Sequence, residues 1–170
     1  MEFEIIKDEK GLQRALYDIT HGLYIVTAAR GGRLNGQCLD ALMQVTSKPP
    51  RVAISMRKTS LTHEMVLETG LFGVNVLCRD ETTCYAKIKH FGMQSGRQVD
   101  KFKDVPFELG ENGAPLLPDS LAFFECRVIK DMTLDLGTHT LFVAEITRSG
   151  FRPEGEPLTY CEYRKNIQKK

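Results

Sequence analysis

The residues with the most chemistry at close spacing run from Arg51 to Met65. A β-branched stretch ends at Met56 and is followed at once by two cations, Arg57 and Lys58, and by the hydroxyls Thr59, Ser60 and Thr62. The hydroxyls surround the start of a helix predicted over residues 61–69, with Ser60 placed to cap it and Gly70 to end it. The first-turn N–H groups of such a helix lack intrahelical partners and lie at the positive end of its dipole. Cations, hydroxyls and free N–H groups at one point make a site for a phosphate-sized anion. The same residues also suit a plain cap at Ser60 beside a solvated cationic turn, and the local sequence leaves both readings open.

Three further stretches carry polar groups in suggestive company. Gln44-Val45-Thr46-Ser47-Lys48-Pro49-Pro50 sets an amide and hydroxyls on an extended segment, or is an ordinary strand end punctuated by prolines. The segment from Phe91 to Phe102 mixes aromatics, glycines and Arg97 in a loop, the composition of a mobile surface or of a pocket wall. His139 opens a long apolar strand, where a lone histidine is more often structural than functional.

Other chemistries are absent from the pattern. Gly31 to Gln37 resembles a phosphate loop but lacks its Lys-Ser/Thr, so a hairpin turn is the better reading. No G-x-G-x-x-G, nucleophile elbow or HxxxH pair occurs. The five cysteines (Cys38, Cys78, Cys84, Cys126 and Cys161) contain no CxxC, which excludes a zinc knuckle and a thioredoxin-like pair.

The elements that must position these residues are mostly strands. Residues 8–19 predict a short helix capped by Asp8, with Leu12, Ala15, Leu16 and Ile19 on one face. Strands follow over 23–28 and 34–39, joined by an Arg30-Gly31-Gly32-Arg33 turn, and then over 51–56 and 71–77. A second internal helix is expected from Asp80 towards His90, a polar loop over 94–104, and strands over 120–130, 139–148 and 157–163. Strands outnumber helices without regular alternation, so the expected fold is mainly β: an antiparallel barrel with peripheral helices.

The chain has 170 residues, 42% of them hydrophobic and 26% charged, enough for one packed domain over residues 1–170 and too apolar for disorder. Lys and Arg total 23 against 22 acidic residues, a net charge of +1 that argues against bulk attraction to nucleic acid or an anionic membrane. The acidic Met1-Glu2-Phe3-Glu4 start, the lack of a long apolar run and the unpaired cysteines lead us to expect a cytoplasmic location.

Taken in order, Leu34-Asn35-Gly36-Gln37, Gln44 to Pro50, Leu61-Thr62-His63-Glu64, Ser95-Gly96-Arg97 with Val99-Asp100-Lys101-Phe102, Asn112-Gly113-Ala114-Pro115, Gly137 to Phe142 and Pro157 to Tyr160 resemble one family. It is the flavin reductase-like family of FMN-binding split β-barrels, and the resemblance is strongest to the flavin domain of high-molecular-weight rubredoxins. It implies a six-stranded antiparallel Greek-key barrel, FMN, a nicotinamide nucleotide as electron donor, and a homodimer with flavin beside the interface. Residue by residue it implies that Gln37, Cys38, Leu39, Asp40, Ala41, Thr46 and Ser47 line the ring and ribityl chain. Lys58, Ser60, Thr62 and His63 would take the phosphate, Phe91, Gly92 and Arg97 would wall the flavin or reach the second nucleotide, and His139 would orient the nicotinamide. No metal ligand is implied.

Two departures stand out. Asp40 replaces the usual Asn, and a carboxylate beside a phosphate or a reduced flavin is unfavourable unless it faces away or tunes the potential downward. No iron-binding CxxC pair follows, so any rubredoxin partner is a separate chain. The leading expectation is therefore an NAD(P)H-dependent flavin reductase. The alternatives are an FMN electron-transfer module reduced by another enzyme, serving rubredoxin or an oxygen-reducing partner, and a flavin-binding barrel without redox turnover.

Overall fold

The computed structural model describes residues 3–79 and 83–167. Asp80, the expected start of the second internal helix, lies outside them. In chain order the elements are α1 (Glu9–Leu16), β1 (Tyr24–Arg30), β2 (Arg33–Leu39), β3 (Leu42–Ser47), β4 (Pro50–Arg57), α2 (Leu61–Thr69), β5 (Leu71–Val76) and α3 (Cys84–Gly92). They continue with β6 (Glu108–Leu109), β7 (Pro115–Leu116), β8 (Ala122–Val128), β9 (Leu134–Asp135), β10 (His139–Phe151) and α4 (Tyr160–Glu162).

Six long strands form the expected antiparallel barrel in the order β2-β1-β5-β8-β10-β4, and β3 extends it at the free edge of β4. The arrangement is Greek-key: the meander β5-β8-β10 is flanked by the sequence-distant strands β1 and β4. β1 and β2 are joined by a tight turn in which Gly31 and Gly32 have φ of 55° and 80°, the left-handed conformation that a two-residue hairpin demands. β9 pairs with the start of β10.

Alternation along β1 feeds two cores. Val26 and Ala28 point into the barrel with Ile54, Met56, Phe72, Val74 and Phe142, and α2 plugs that side with Leu61, Met65 and Val66. Leu23 and Ile25 point outward and pack under α3 with Ile88, Phe91 and Phe102. Both faces of β1 are thus buried, which fixes its register against β2 and β5.

Helix boundaries follow cap chemistry. Asp8 accepts a 2.7 Å hydrogen bond from the Gly11 N–H and starts α1, which ends at Leu16 rather than Ile19. α2 begins after Ser60 and closes on Gly70, whose φ of 70° suits only glycine well. The expected last strand over 157–163 is instead two single-residue bridges, Cys78–Pro157 and Gly22–Thr159, followed by a helical turn. Thr159 caps that turn by accepting from the Glu162 N–H, so a Thr-x-x-Glu signature overrides the β-rich composition. No helix of the described residues is long and apolar enough to cross a membrane.

Candidate flavin and nucleotide site

One cavity of about 690 Å³ opens where β2, β4, α2, α3 and the start of β10 meet. β2 supplies Asn35, Gln37 and Leu39, the period-2 stripe that one face of a strand must present. β4 supplies Ser55 and Arg57 by the same rule. Asp40 and Ala41, between β2 and β3, complete the floor, and the chain there is held by the Ser55 N–H donating to the Ala41 carbonyl at 2.9 Å.

The end expected to take an anion is built around the start of α2. Ser60 Oγ accepts from the His63 N–H at 3.1 Å, and Thr59, Ser60 and Thr62 all line the cavity. Thr62 Oγ1 accepts from Asn35 Nδ2 at 2.9 Å, which ties the helix to β2 across the cavity. Arg57 lines this end and forms no ion pair among the described residues. Lys58 does the opposite: its Nζ is 2.6 Å from Asp135 and holds that carboxyl below its ordinary range. His139, paired with Arg57 across the β4–β10 ladder, faces the same end, with Nδ1 2.8 Å from Thr138 Oγ1.

The opposite wall comes from α3 and the loop after it. Phe91, Gly92, Gln94, Ser95 and Gly96 line the cavity. Close packing requires the glycines here: a Cβ on Gly36 would lie 3.0 Å from Phe91, and one on Gly96 would fall 2.0 Å from Asn35 Oδ1. Arg33 donates to the Gly96 carbonyl at 2.7 Å, and Arg97 reaches Glu64 of α2 at 2.8 Å, so the middle of the loop is fastened to both β2 and α2. Arg97 and Arg30 together hold the Glu64 carboxyl below its usual range.

Ten of the residues expected at the site therefore converge on one cavity: Gln37, Cys38, Leu39, Asp40, Ala41, Ser60, Thr62, Phe91, Gly92 and His139. Five lie elsewhere. Lys58 is taken up by Asp135, and Arg97 by Glu64 on the outer side of the loop. His63 is buried under the helix, its Nε2 2.8 Å from Thr140 Oγ1. Thr46 and Ser47 bond within the β3–β4 turn, to the Pro49 carbonyl and the Gln44 amide, at the Arg51 end of β4. Six residues of strand separate Arg51 from Arg57, about 20 Å.

Thr59, read from the sequence among the hydroxyls at the helix start, lines the cavity, and Asn35, Ser55, Gln94 and Lys101 join it without a sequence-based role. The alternation through Leu34-Asn35-Gly36-Gln37 held the signal for Asn35, and Ser55 sits two residues before Arg57. Cys38 is not a reactive thiolate: burial, then the nearby Asp40 charge, pushes its thiol up to about 12. Among the described residues no cluster of His, Cys, Asp and Glu is arranged to hold a metal ion.

A split antiparallel barrel with a strand-lined cleft beside the start of α2 is the fold of the flavin reductases. This chain belongs to the family of the flavin reductase like domain, whose model matches residues 16–167. It is 40% identical over 151 residues to a high molecular weight rubredoxin of Moorella thermoacetica, covering 88% of this chain and 64% of that protein's length. It is 39% identical over 150 residues to a ferric-chelate reductase (NAD(P)H) of Archaeoglobus fulgidus, covering 88% of this chain and 86% of that protein. The NADH:FAD oxidoreductase of Streptomyces globisporus, solved with NAD and FAD fragments, superimposes with a TM-score of 0.80 at 28% identity, over 92% of each chain.

Proposed function

We propose that residues 1–170 form one FMN-binding unit that accepts hydride from NADH or NADPH and passes the electrons to an acceptor. The observation that carries this reading is the meeting of an unpaired Arg57, the capped start of α2 and the 37–41 strand end in one cavity. A phosphate at Arg57, Ser60 and Thr62 leaves the rest of the cleft for a flat ring and its polyol tail. The residues present fit the group: the helix start offers N–H donors, Arg57 forms no ion pair among the described residues, and the cleft wall is thinned by Gly92 and Gly96.

Bound FMN supplies a two-electron acceptor, which a chain without an evident acid–base pair does not otherwise possess. The chain's contribution is orientation and field. Backbone groups of residues 38–41 line the cavity and would hydrogen-bond a bound ring, and Phe91 with Leu136 would narrow the access of water. His139, whose Nε2 has no hydrogen-bond partner among the described residues, orients a nicotinamide amide and moves no proton. A homodimer in the cytoplasm completes the proposal, supported by exposed apolar side chains and by the absence of disulfides among the described cysteines.

The test is the visible spectrum of the purified protein, before and after added FMN, followed by anaerobic mixing with NADH and with NADPH. Yellow protein bleached within its turnover time is the expected result, and protein that stays colourless with added FMN overturns every flavin reading. Flavin that binds but resists both nucleotides supports the second reading, an electron-transfer module fed by another reductase. The likeness to a high molecular weight rubredoxin, of which this chain spans less than two thirds, favours that alternative specifically. Bound flavin that neither takes nor gives electrons leaves the third, a non-redox binding barrel.

A further inference from the structure

Lys101 is 3% exposed at the wall of the cavity, and no carboxylate pairs with it among the described residues. Its Nζ donates to the Gly36 carbonyl of β2 and to the Phe91 carbonyl near the end of α3, each at 2.8 Å. An ammonium has three donors, so one N–H is left after these two bonds. Neutral carbonyls do not cancel a buried charge, and burial brings the group down to about 8, against a smaller opposing effect of Cys38. A fold that buries an unmatched cation beside a ligand cavity is destabilised by it until a negative charge arrives. The phosphate of a ligand already has Arg57 and the start of α2. Lys101 is anchored to Gly36, between Asn35, which bonds Thr62, and the 37–41 segment that floors the cavity.

We propose that Lys101 supplies the buried positive charge that stabilises the flavin ring once it has accepted hydride, and thereby sets the midpoint potential of the bound flavin. This rests on the flavin reading above. The hydride carries two electrons and one proton from the reduced nicotinamide to N5 of the ring, and the nicotinamide leaves as the oxidised cation. With no second proton taken up, the ring gains one negative charge, and the Lys101 ammonium balances it. Cys38 of β2 faces Lys101, with Asp40 beside that thiol, His90 of α3 meets the Lys101 carbonyl at 2.8 Å, and Arg57 and His139 line the same cavity.

The coupling has a pH signature. Below about 8 Lys101 is already charged, and reduction takes up one proton. Above it, Lys101 is neutral beside oxidised flavin and regains its proton on reduction, because the new negative charge raises its affinity for protons. Reduction then takes up two protons, and the slope of potential against pH doubles.

The experiment measures FMN and riboflavin affinity by fluorescence quenching, and then the flavin midpoint potential on both sides of pH 8, for wild type, Lys101→Met and Lys101→Arg. The expected wild-type profile steepens above about pH 8. Lys101→Met loses the break and lowers the reduced-to-oxidised affinity ratio at least tenfold, about 30 mV for two electrons. Lys101→Arg keeps the potential but not the break, since arginine stays charged. A Lys101→Met protein with the wild-type potential and profile overturns the proposal. So does one that loses affinity for FMN but not riboflavin at unchanged potential, which makes Lys101 a phosphate ligand. A variant too unstable to hold flavin leaves the decision to the wild type, where a profile without a break overturns the proposal. Wild type that takes up no FMN overturns the flavin reading itself and this inference with it.

Discussion

At the scale of single residues, two adjacent cations divide the work at the start of α2. Arg57 lies at the end of β4 on the face shared with Ser55, so strand alternation aims it into the cavity. Lys58 falls on the other side and is spent on Asp135, which fixes the turn before His139. Charge-assisted hydrogen bonds contribute roughly 1.5–3 kcal/mol, so Arg57→Ala should weaken FMN binding on the order of tenfold to a hundredfold. Lys58→Ala should change it only a few-fold, through the loosened turn. Fluorescence titration of apo protein with FMN separates the two, and equal losses would mean that Lys58 leaves Asp135 for the ligand. The sequence shows both cations beside a helix start but not that one faces the cavity and the other Asp135, because that depends on where β4 ends relative to β9.

His63 makes a second residue-scale prediction. It is 5% exposed, packed against Phe142 and bonded to Thr140, and burial followed by the Lys58 charge lowers its pKa. The folded protein therefore favours neutral imidazole, while the unfolded chain binds a proton from about pH 6.5 downward. In that window the unfolded state holds more protons, so stability rises with pH. Its full contribution is present above about 6.5 and is lost as the pH falls towards the depressed folded value. Urea midpoints should thus drop between neutral and mildly acidic pH, and His63→Gln should flatten that drop. An unchanged dependence in the variant would assign the acid sensitivity to other groups.

At the scale of elements, local cap chemistry made some boundaries readable and long-range contacts hid others. Ser60 and Gly70 delimit α2 because each performs a local task, satisfying an N–H and adopting positive φ. The turn at Gly31-Gly32 is readable for the same reason. The segment after Pro157 was not, since its residues suit a strand and only the Thr159 cap tips it into a helical turn. The composition of residues 91–102 suits a mobile surface as well as a pocket wall, and nothing local shows that Gly96 must sit against Asn35. That contact carries the third prediction. A Cβ at Gly96 would meet Asn35 Oδ1 at 2.0 Å, and Asn35 in turn holds Thr62 of the proposed phosphate site. Gly96→Ala should shift the loop or Asn35 and weaken FMN binding several-fold, while thermal unfolding of the apo protein moves little. A large fall in apo stability with normal FMN affinity would place the strain in the core instead.

At the scale of the whole molecule, the barrel satisfies its own interior but leaves its first helix uncovered. β1 is buried on both faces and α2 and α3 seal the two cores, whereas α1 has no buried residue. Leu12 and Leu16, one turn apart on the same side of α1, are each 51% exposed, and Ile19 beyond it is 55% exposed. Phe3, Ile5 and Ile6 before the helix are exposed as well. Single exposed apolar residues are ordinary, but an amphipathic helix with its apolar stripe in water gains nothing from its pattern. The proposed homodimer gives that stripe a use, by laying it against the second copy. Sedimentation velocity at micromolar concentration should then find a dimer, and Leu12→Glu combined with Leu16→Glu should shift it towards monomer. Because the pair lies apart from both cores, the folded spectrum of the variant should be retained. A wild type that sediments as a monomer would remove the dimer from the proposal, whereas a dimer indifferent to the double change would move the interface to another face, such as the exposed edge strand β3 with Met43 and Val45.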